Sequence, residues 1–383
     1  MVLPSLINLK TLYVKKRVGA TMNYEIDFIG INQESSKDAA ATCLRFYSQE
    51  FGRYIIVVYD GGFSSHGKSL VDLIKKYYTS QETPYIDIVI CSHSDNDHAQ
   101  GLLEVFDSFT VGYLIMNRPW LYAKELYPQI SDGRKTVDSL KRDLKNIYPS
   151  IAELEEKALA QGTKIFEGFQ GRIFSNIPLW ILSPTKEFFL QQIVASAKTP
   201  LNEDASSTFV KKAFDAISTK IKDYWNKDAL REGETTTPEN ETSIIIYGNM
   251  EKDGAFLLTG DAGISALNAA ADYADLANIN LSGITFHQIP HHGGRHNVSP
   301  SVLNRIIGDI LPKGTTSNKT AFVSVSKNSD HPKKMVVNAY MRRGVKVFEA
   351  RTSSKWHHRG TPDRSDYSAA TPLEFSDYVE SWN

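Results

Sequence analysis

The 383-residue sequence predicts an α/β layered fold. Apolar, β-branched runs typical of buried strands alternate with stretches of helical periodicity, and mostly short loops join them. Polar clusters follow the ends of several apolar runs, at residues 93–98, 261, 291–292 and 331. Because side chains on loops beyond strand ends can meet however distant they are in sequence, these clusters predict one shared cleft.

Composition is that of an ordinary soluble globular chain, with 41% hydrophobic and 23% charged residues. A net charge of −1 excludes a global basic field that would attract nucleic acid, although a local basic patch stays open. Cys43 and Cys91 lie in apolar runs and are predicted to be buried thiols in a cytoplasmic protein. The N-terminus lacks the apolar core of a signal peptide, and no apolar run is long enough to predict a membrane span.

The first part of the chain alternates strands and helices. The predicted strands are 24–31, 41–47, 54–60, 86–91 and 111–117. Helices are predicted at 66–79 and 98–109, and Asp60-Gly61-Gly62 is a turn signal. Two helical insertions follow at 119–162 and 186–232, either as a cap packed on the domain or as a lid that shapes the substrate site.

The second part continues the sheet pattern, so the whole chain, 1–383, is predicted to be a single domain. Short strands are expected near 164–182, a hairpin at 243–249 and 255–259, and further strands at 284–289, 320–325 and 345–350. Helices are predicted at 264–277 and 299–307, and another between the last two strands. Residues 360–383 are predicted to form an irregular surface tail.

Residues 86–101, IDIVICSHSDNDHAQG, contain closely spaced histidines and aspartates. Within six positions of the end of a buried strand come His93, Asp95, Asp97 and His98. Imidazoles and carboxylates each offer a lone pair, and a loop lets them converge on one ion. A polar turn is the alternative, but turn chemistry does not require the flanking histidines.

Four motifs together resemble the metallo-β-lactamase fold. They are His93-x-Asp95-x-Asp97-His98, then Thr259-Gly260-Asp261, then Pro290-His291-His292-Gly293, and a late Ser/Asn-rich turn that ends in His331-Pro332. More narrowly, the chain resembles the hydrolase domain of DNA-internalisation competence proteins of the ComEC type, which also have Asp in place of the second His of the first motif. The resemblance runs from about residue 24 to about residue 350 and implies an αββα sandwich with a dinuclear metal centre at one edge.

The resemblance also implies a set of metal ligands: His93, Asp95, Asp97, His98, Asp261 and His291. His93 and Asp95 would belong to one site, Asp97 and His98 to the second, and Asp261 would bridge them. His291 is preferred over His292 as the remaining second-site ligand. Asp97 is either a ligand or a base that orients the attacking hydroxide.

The histidine of the family's third motif has no match in this chain. Its loop corresponds to residues 182–185, Leu-Ser-Pro-Thr. The first site is therefore poor in nitrogen, which favours Mn²⁺ or Mg²⁺ over Zn²⁺. Two divalent ions are expected, with Mn²⁺ or Zn²⁺ as the leading candidates and Mg²⁺ as a further one. The alternative is that one site is weak or fills only with substrate.

Further residues are predicted to act on the substrate. His331 is a candidate proton donor to the leaving group, with a helix-capping histidine as the alternative. Phosphate or substrate contacts are predicted for Ser326, Lys327, Asn328, His292 and His296.

Three functions follow from these residues. The first is a metal-dependent phosphodiesterase or nuclease, whose substrate would be nucleic acid or another phosphodiester. A groove for it would be lined by Lys327, Lys333, Lys334, Arg342 and Arg343, unless these form a solvated helix face. The second is a hydrolase of small esters, lactones or cyclic nucleotides, and the third is a non-enzymatic regulatory module with a degraded site. No membrane partner is expected, and the sequence does not predict the oligomeric state.

Overall fold

The computed structural model of the chain describes residues 22–79, 85–130, 136–171, 176–199, 220–315 and 317–382. The strands in these residues are β1 Tyr24–Phe28, β2 Ala41–Ser48, β3 Arg53–Gly61, β4 Tyr85–Ile90, β5 Thr110–Ile115, β6 Lys164–Phe166, β7 Leu179–Ser183, β8 Lys220–Lys222, β9 Ile245–Asn249, β10 Ala255–Leu258, β11 Phe286–Gln288, β12 Thr320–Ser324, β13 Lys346–Ala350, β14 Lys355–Arg359 and β15 Tyr378–Glu380. The α-helices are α1 Ser64–Tyr77, α2 Asn96–Ala99, α3 Leu102–Ser108, α4 Ala123–Ile130, α5 Val137–Ile147, α6 Pro149–Ala160, α7 Lys186–Ala195, α8 Pro238–Glu241, α9 Ile264–Leu276, α10 Pro300–Ile306 and α11 Lys334–Arg342. No helix in this part of the chain is long and apolar enough to span a bilayer.

The described strands form two large sheets. One has the order β14-β1-β2-β3-β4-β5-β6 and the other the order β13-β12-β11-β10-β9-β7. Strands β3 to β6 run parallel to one another, as do β10 to β13. The carboxyl ends of neighbouring parallel strands lie at the same edge of a sheet, so the loops that leave them collect there.

Three apolar layers show how the sheets and helices stack. Between the sheets, Phe28 of β1 packs edge-on against Phe286 of β11, with ring centroids 5.9 Å apart. On the outer face of the first sheet, Leu70 of α1 belongs to a second buried cluster, and Leu267 of α9 belongs to a third on the second sheet. Helices on both outer faces of two packed sheets make an αββα sandwich, which confirms the predicted fold class.

The predicted strands and the hairpin agree with the structure to within a few residues. The helix predicted at 98–109 instead divides into α2 and α3 at Gly101. A Cβ atom on Gly101 would lie 1.9 Å from the carbonyl oxygen of Gly61, so only glycine permits this approach of the helix to the end of β3. Cys43 and Cys91 are buried and unpaired, as predicted.

The first insertion, 119–162, forms a short 3-10 helix followed by α4, α5 and α6. The prediction for 186–232 is wrong in part, because only α7 is helical in its described residues and 220–222 form β8. Residues 200–219 of that insertion lie outside the described residues. Strand β8 pairs with β15, so long-range pairing decides the conformation of this segment.

The expectation of a surface tail at 360–383 is also wrong in part. Within it, β15 pairs with β8, and Arg364 makes ion pairs with Asp27, at 2.8 Å, and Glu25, at 2.6 Å. Just before it, β14 pairs antiparallel with β1 and completes the first sheet, a strand that the sequence did not predict. Arg364 neutralises the charge of two buried carboxylates of β1, and these ion pairs hold the segment around residue 364 against the first sheet.

Candidate metal centre

The predicted polar clusters meet where the two sheets present the carboxyl ends of their parallel strands. Residues 91–98 follow β4, Asp261 follows β10, and His292 follows β11. Backbone hydrogen bonds join the loops across the sheets, because Ile244 donates to the Ser92 carbonyl at 2.9 Å. Residues far apart in sequence therefore share one small volume.

Four of these side chains form a group that could hold a metal ion: Asp97, His98, Asp261 and His292. One ligand atom from each lies within 4.8 Å of all the others. His98 Nε2 is 3.0 Å from Asp261 Oδ1, and His292 Nε2 is 3.5 Å from Asp97 Oδ2. Two carboxylates balance the charge of a divalent ion, and the nitrogen and oxygen donors suit Zn²⁺ or Mn²⁺.

The hydrogen bonds of the imidazoles show that the donors are prepared for a cation. The Nδ1 atom of His98 donates to the carboxylate of Asp60 at 2.8 Å, and that of His292 donates to the Ser324 carbonyl at 2.9 Å. These acceptors place the proton of a neutral imidazole on Nδ1 and leave the Nε2 lone pair toward the cluster. Both Nε2 atoms are buried and make no hydrogen bond of ordinary geometry, although carboxylate oxygens of Asp261 and Asp97 lie 3.0 and 3.5 Å from them. His93 Nε2 is likewise buried without a partner. An ion bound among these atoms would satisfy them.

Asp60 is the residue of this site that sequence analysis missed. It is fully buried at the end of β3 with a φ of 62°, and its carboxylate accepts hydrogen bonds from Ser92 N–H and Ser92 Oγ, each at 2.7 Å, besides that from His98. The sequence Asp-Gly-Gly was interpreted only as a turn, because aspartate is common in turns. Its position after a buried strand was the signal that could have identified it.

The charges of the cluster shift the pKa values of its members. Burial raises the pKa of Asp97, but the close contact with the His292 imidazole and the charge of His98 outweigh it and bring the value to about 2. Burial lowers the pKa of His292, but the Asp261 and Asp97 carboxylates raise it to about 9. The Asp261 and Asp60 carboxylates likewise hold the pKa of His98 above its usual value against the effect of burial. The cluster thus favours positive charge at the Nε2 positions, either a proton or a metal ion.

The geometry favours His292 where the sequence preference was His291. The Nε2 atoms of both histidines lie 3.9 Å from Asp261 Oδ2. The side chain of His291 is 33% exposed and its Nδ1 contacts Asn297 and Asn240, whereas the side chain of His292 is 4% exposed. Both histidines have positive φ values, 46° and 55°, so the chain turns sharply and directs His292 inward. Sequence spacing does not reveal such a turn, and His292, predicted as a substrate contact, joins the metal-type cluster instead.

His93 and Asp95 lie beside this cluster but outside it. The ring of His93 is 4.3 Å from that of His98, and its Nε2 is 3.8 Å from Asp95 Oδ2. Asp95 also pairs with Lys198 at 2.8 Å. No role was predicted for Lys198 from the sequence. Whether His93 and Asp95 bind metal stays a prediction.

His331 lies on the loop after β12, next to the cluster. Its Nδ1 is 2.8 Å from Asp38 Oδ2, and 25% of its side chain is exposed. The loop is fixed to the His292 turn, because Lys333 N–H donates to the Gly293 carbonyl at 3.1 Å. The Asp38 segment is joined to the cluster as well, since Ala40 N–H donates to the Asp97 carbonyl at 3.1 Å.

The predicted phosphate contacts have internal partners. Ser326 N–H donates to Asp38, while the side chains of Lys327 and Asn328 bind Glu34. His296 pairs with Glu234 at 2.8 Å. Substrate binding by these residues stays a prediction, and it would require most of these partners to be displaced.

The predicted basic groove does not form. Arg342 and Arg343 are 0% and 1% exposed, and they pair with Asp223 and Asp228 at 2.6 and 2.7 Å. The sequence could not predict this, because the acidic partners lie more than 100 positions earlier in the chain. Lys327 and Lys333 are also paired with acidic side chains.

Comparisons with known proteins identify no family for this chain. No model of a known protein family and no curated protein matches the sequence. Among solved structures, unliganded yeast PDE1 is 11% identical and has a TM-score of 0.39, and the match covers 87% of this chain and 99% of that chain. At that similarity it carries no information on activity. The narrower resemblance to competence proteins gains no support and stays a sequence-based prediction.

Proposed function

We propose that this chain is a metal-dependent phosphodiesterase. The observation that carries the proposal is the convergence of two buried Nε2 lone pairs and two carboxylates in the group of Asp97, His98, Asp261 and His292. Polar atoms buried without partners are costly, so their retention requires a ligand that satisfies them. A divalent ion held there would supply an activated water and polarise an oxygen of the scissile group.

The residues around the cluster have separate tasks. Asp60 and the Ser324 carbonyl hold the two imidazoles in the tautomer that presents Nε2. Asp97, whose side chain is 27% exposed, lies on the open side and can also accept a hydrogen bond from the attacking water.

We assign the proton transfer that completes the reaction to His331. Asp38 accepts a hydrogen bond from Nδ1 and leaves Nε2 to face a substrate at the cleft. When the bond from phosphorus to the leaving oxygen breaks, that oxygen would take the proton from His331. The hydrogen bond to Asp38 fixes the orientation of the imidazole.

A small phosphodiester or a flexible single strand suits this surface better than a duplex. Long duplexes are bound through many lysine and arginine contacts with phosphates, and the arginines predicted for that purpose are buried here. The same observation favours a second candidate function, the hydrolysis of small esters or lactones.

Turnover of bis(p-nitrophenyl) phosphate, measured with Mn²⁺, Zn²⁺ or Mg²⁺ after chelator treatment, tests the proposal. We expect activity that depends on added metal and falls at least about 10³-fold in His98→Ala. His358→Ala, which removes a partly exposed imidazole stacked on Trp356, is the matched control and should retain activity.

Several results would contradict the proposal. Equal turnover with and without metal, or full activity in His98→Ala, would exclude the cluster as the active site. Turnover of p-nitrophenyl acetate or a lactone without any phosphodiester would favour the second candidate. No turnover of any substrate would favour the regulatory module.

A further inference from the structure

The cluster has donors for one ion, but the adjacent position predicted to hold a second ion does not. That position has His93 Nε2, which is buried without a hydrogen-bond partner, and Asp95 Oδ2, which lies 3.8 Å from it. Within the described ranges, no further His, Cys, Asp or Glu joins these two in a group with the spacing of a metal site. The family's third-motif histidine would complete the set, but Ser183 and its neighbours occupy the corresponding loop.

A lysine approaches this incomplete position from the second insertion. Lys198 Nζ lies 2.8 Å from Asp95 Oδ1 and 3.8 Å from Glu239 Oε1. The carboxylate of Glu239 is nearly buried and also accepts the Ser196 hydroxyl. The ammonium group therefore has a fixed place between two carboxylates, and it occupies one of the two oxygens that Asp95 would offer to a metal.

Charge also argues against a second divalent ion. His93 donates from Nδ1 to Ser92 Oγ at 3.0 Å, because the hydroxyl proton of Ser92 goes to Asp60. The Lys198 charge offsets that of the Asp95 carboxylate. A divalent ion would have to displace the ammonium group and would still find only two donors, fewer than the three or four that Zn²⁺ or Mn²⁺ sites use.

We propose that the chain binds one divalent ion, in the group of Asp97, His98, Asp261 and His292, and that the Lys198 ammonium takes the place of the second. In the phosphodiesterase reaction proposed above, on which this inference rests, Lys198 would contact a non-bridging oxygen of the substrate. Lysine serves as a point charge for phosphate, and such fixed charges lower the energy of the charge that develops during transfer.

Metal stoichiometry tests the inference without reference to activity. Chelator-treated protein is titrated with Mn²⁺, and the bound ions are counted by calorimetry and by electron paramagnetic resonance. We expect one ion per chain with the spectrum of an isolated Mn²⁺. Asp95→Asn, which keeps the shape of the side chain, should leave both the stoichiometry and the affinity within about threefold of the parent.

Activity variants then test Lys198 itself. Lys198→Gln should lower turnover of bis(p-nitrophenyl) phosphate by about tenfold or more, while Lys198→Arg, which keeps the charge, should retain most of it. Metal affinity should not change in either. Lys186→Gln is the matched control, because Lys186 is similarly exposed and pairs with Glu125 at 2.8 Å on the same insertion.

The possible failures are distinguishable. Two ions per chain with a magnetically coupled spectrum would overturn the inference and leave the phosphodiesterase proposal intact. No bound ion would overturn both. One bound ion with full turnover in Lys198→Gln would remove Lys198 from the reaction, and weaker Mn²⁺ binding in Asp95→Asn would make Asp95 a ligand.

Discussion

The carboxylate of Asp60 should control metal binding although it does not face the metal position. It accepts three hydrogen bonds, two from Ser92 at 2.7 Å and one from His98 Nδ1 at 2.8 Å. Asp60→Asn keeps the shape and tolerates the φ of 62°, since asparagine adopts that conformation readily. It replaces one oxygen by an NH₂ group, which cannot accept the proton of Nδ1.

His98 must then lose this hydrogen bond or move its proton to Nε2, where it blocks the lone pair. A hydrogen bond to a charged group contributes about 1.5–3 kcal/mol. Because about 1.4 kcal/mol corresponds to a factor of ten, metal affinity should fall by about 10- to 100-fold. At a metal concentration 100 times the parent Kd, the stabilisation by metal should fall from about 2.7 kcal/mol to about 1.4 kcal/mol or less.

Calorimetric titration of Mn²⁺ or Zn²⁺ measures the affinity, and denaturant unfolding with and without metal measures the stabilisation. Asp87→Asn is the matched control, because Asp87 is a buried carboxylate in β4 that binds Arg53 at 2.6 Å and the Ile56 N–H at 2.9 Å. It should lower the free energy of unfolding and leave metal affinity unchanged. Parent-like affinity in Asp60→Asn, or an equal loss in both variants, would refute the reasoning.

Three further outcomes are expected. Asp38→Asn should lower turnover by about tenfold or more without changing metal affinity, because His331 loses the carboxylate that accepts its Nδ1 hydrogen bond and orients its ring; unchanged kinetics would rule this out. Arg343→Met removes the guanidinium that pairs with Asp228 at 2.7 Å, so the free energy of unfolding should fall by about 3–5 kcal/mol while KM for the phosphodiester stays constant. A raised KM in a stable variant would indicate that Arg343 binds substrate. Burial lowers the pKa of His287 from 6.5 to about 3, so between these pH values the unfolded chain binds more protons than the folded chain, and stability is lost as the pH falls through them. His287→Leu should reduce the slope of the unfolding free energy against pH in this range by up to about 1.4 kcal/mol per pH unit. An unchanged slope would contradict the lowered pKa of His287.

Local patterns predicted most of the regular structure because strands and helices bury one face, and burial leaves a period in the sequence. The run before His93 and the hairpin of β9 and β10 were found in this way. Segments whose conformation depends on a distant partner were not. Strand β14 exists because it pairs with β1, and Arg364 is buried because it meets Asp27.

The sequence by itself determined the fold class and the residues from which a metal site could be built, because hydrophobic periodicity and the types of the ligand residues can be recognised within short segments of the chain. Only the tertiary structure decided which residues meet. It placed His292 in the group of possible metal ligands, brought Asp60 to His98 and Lys198 to Asp95, and paired Arg342 and Arg343 with buried acids. The physical reason is that contact between distant side chains depends on loop geometry and on charge pairing across the fold, and neither has a period along the chain.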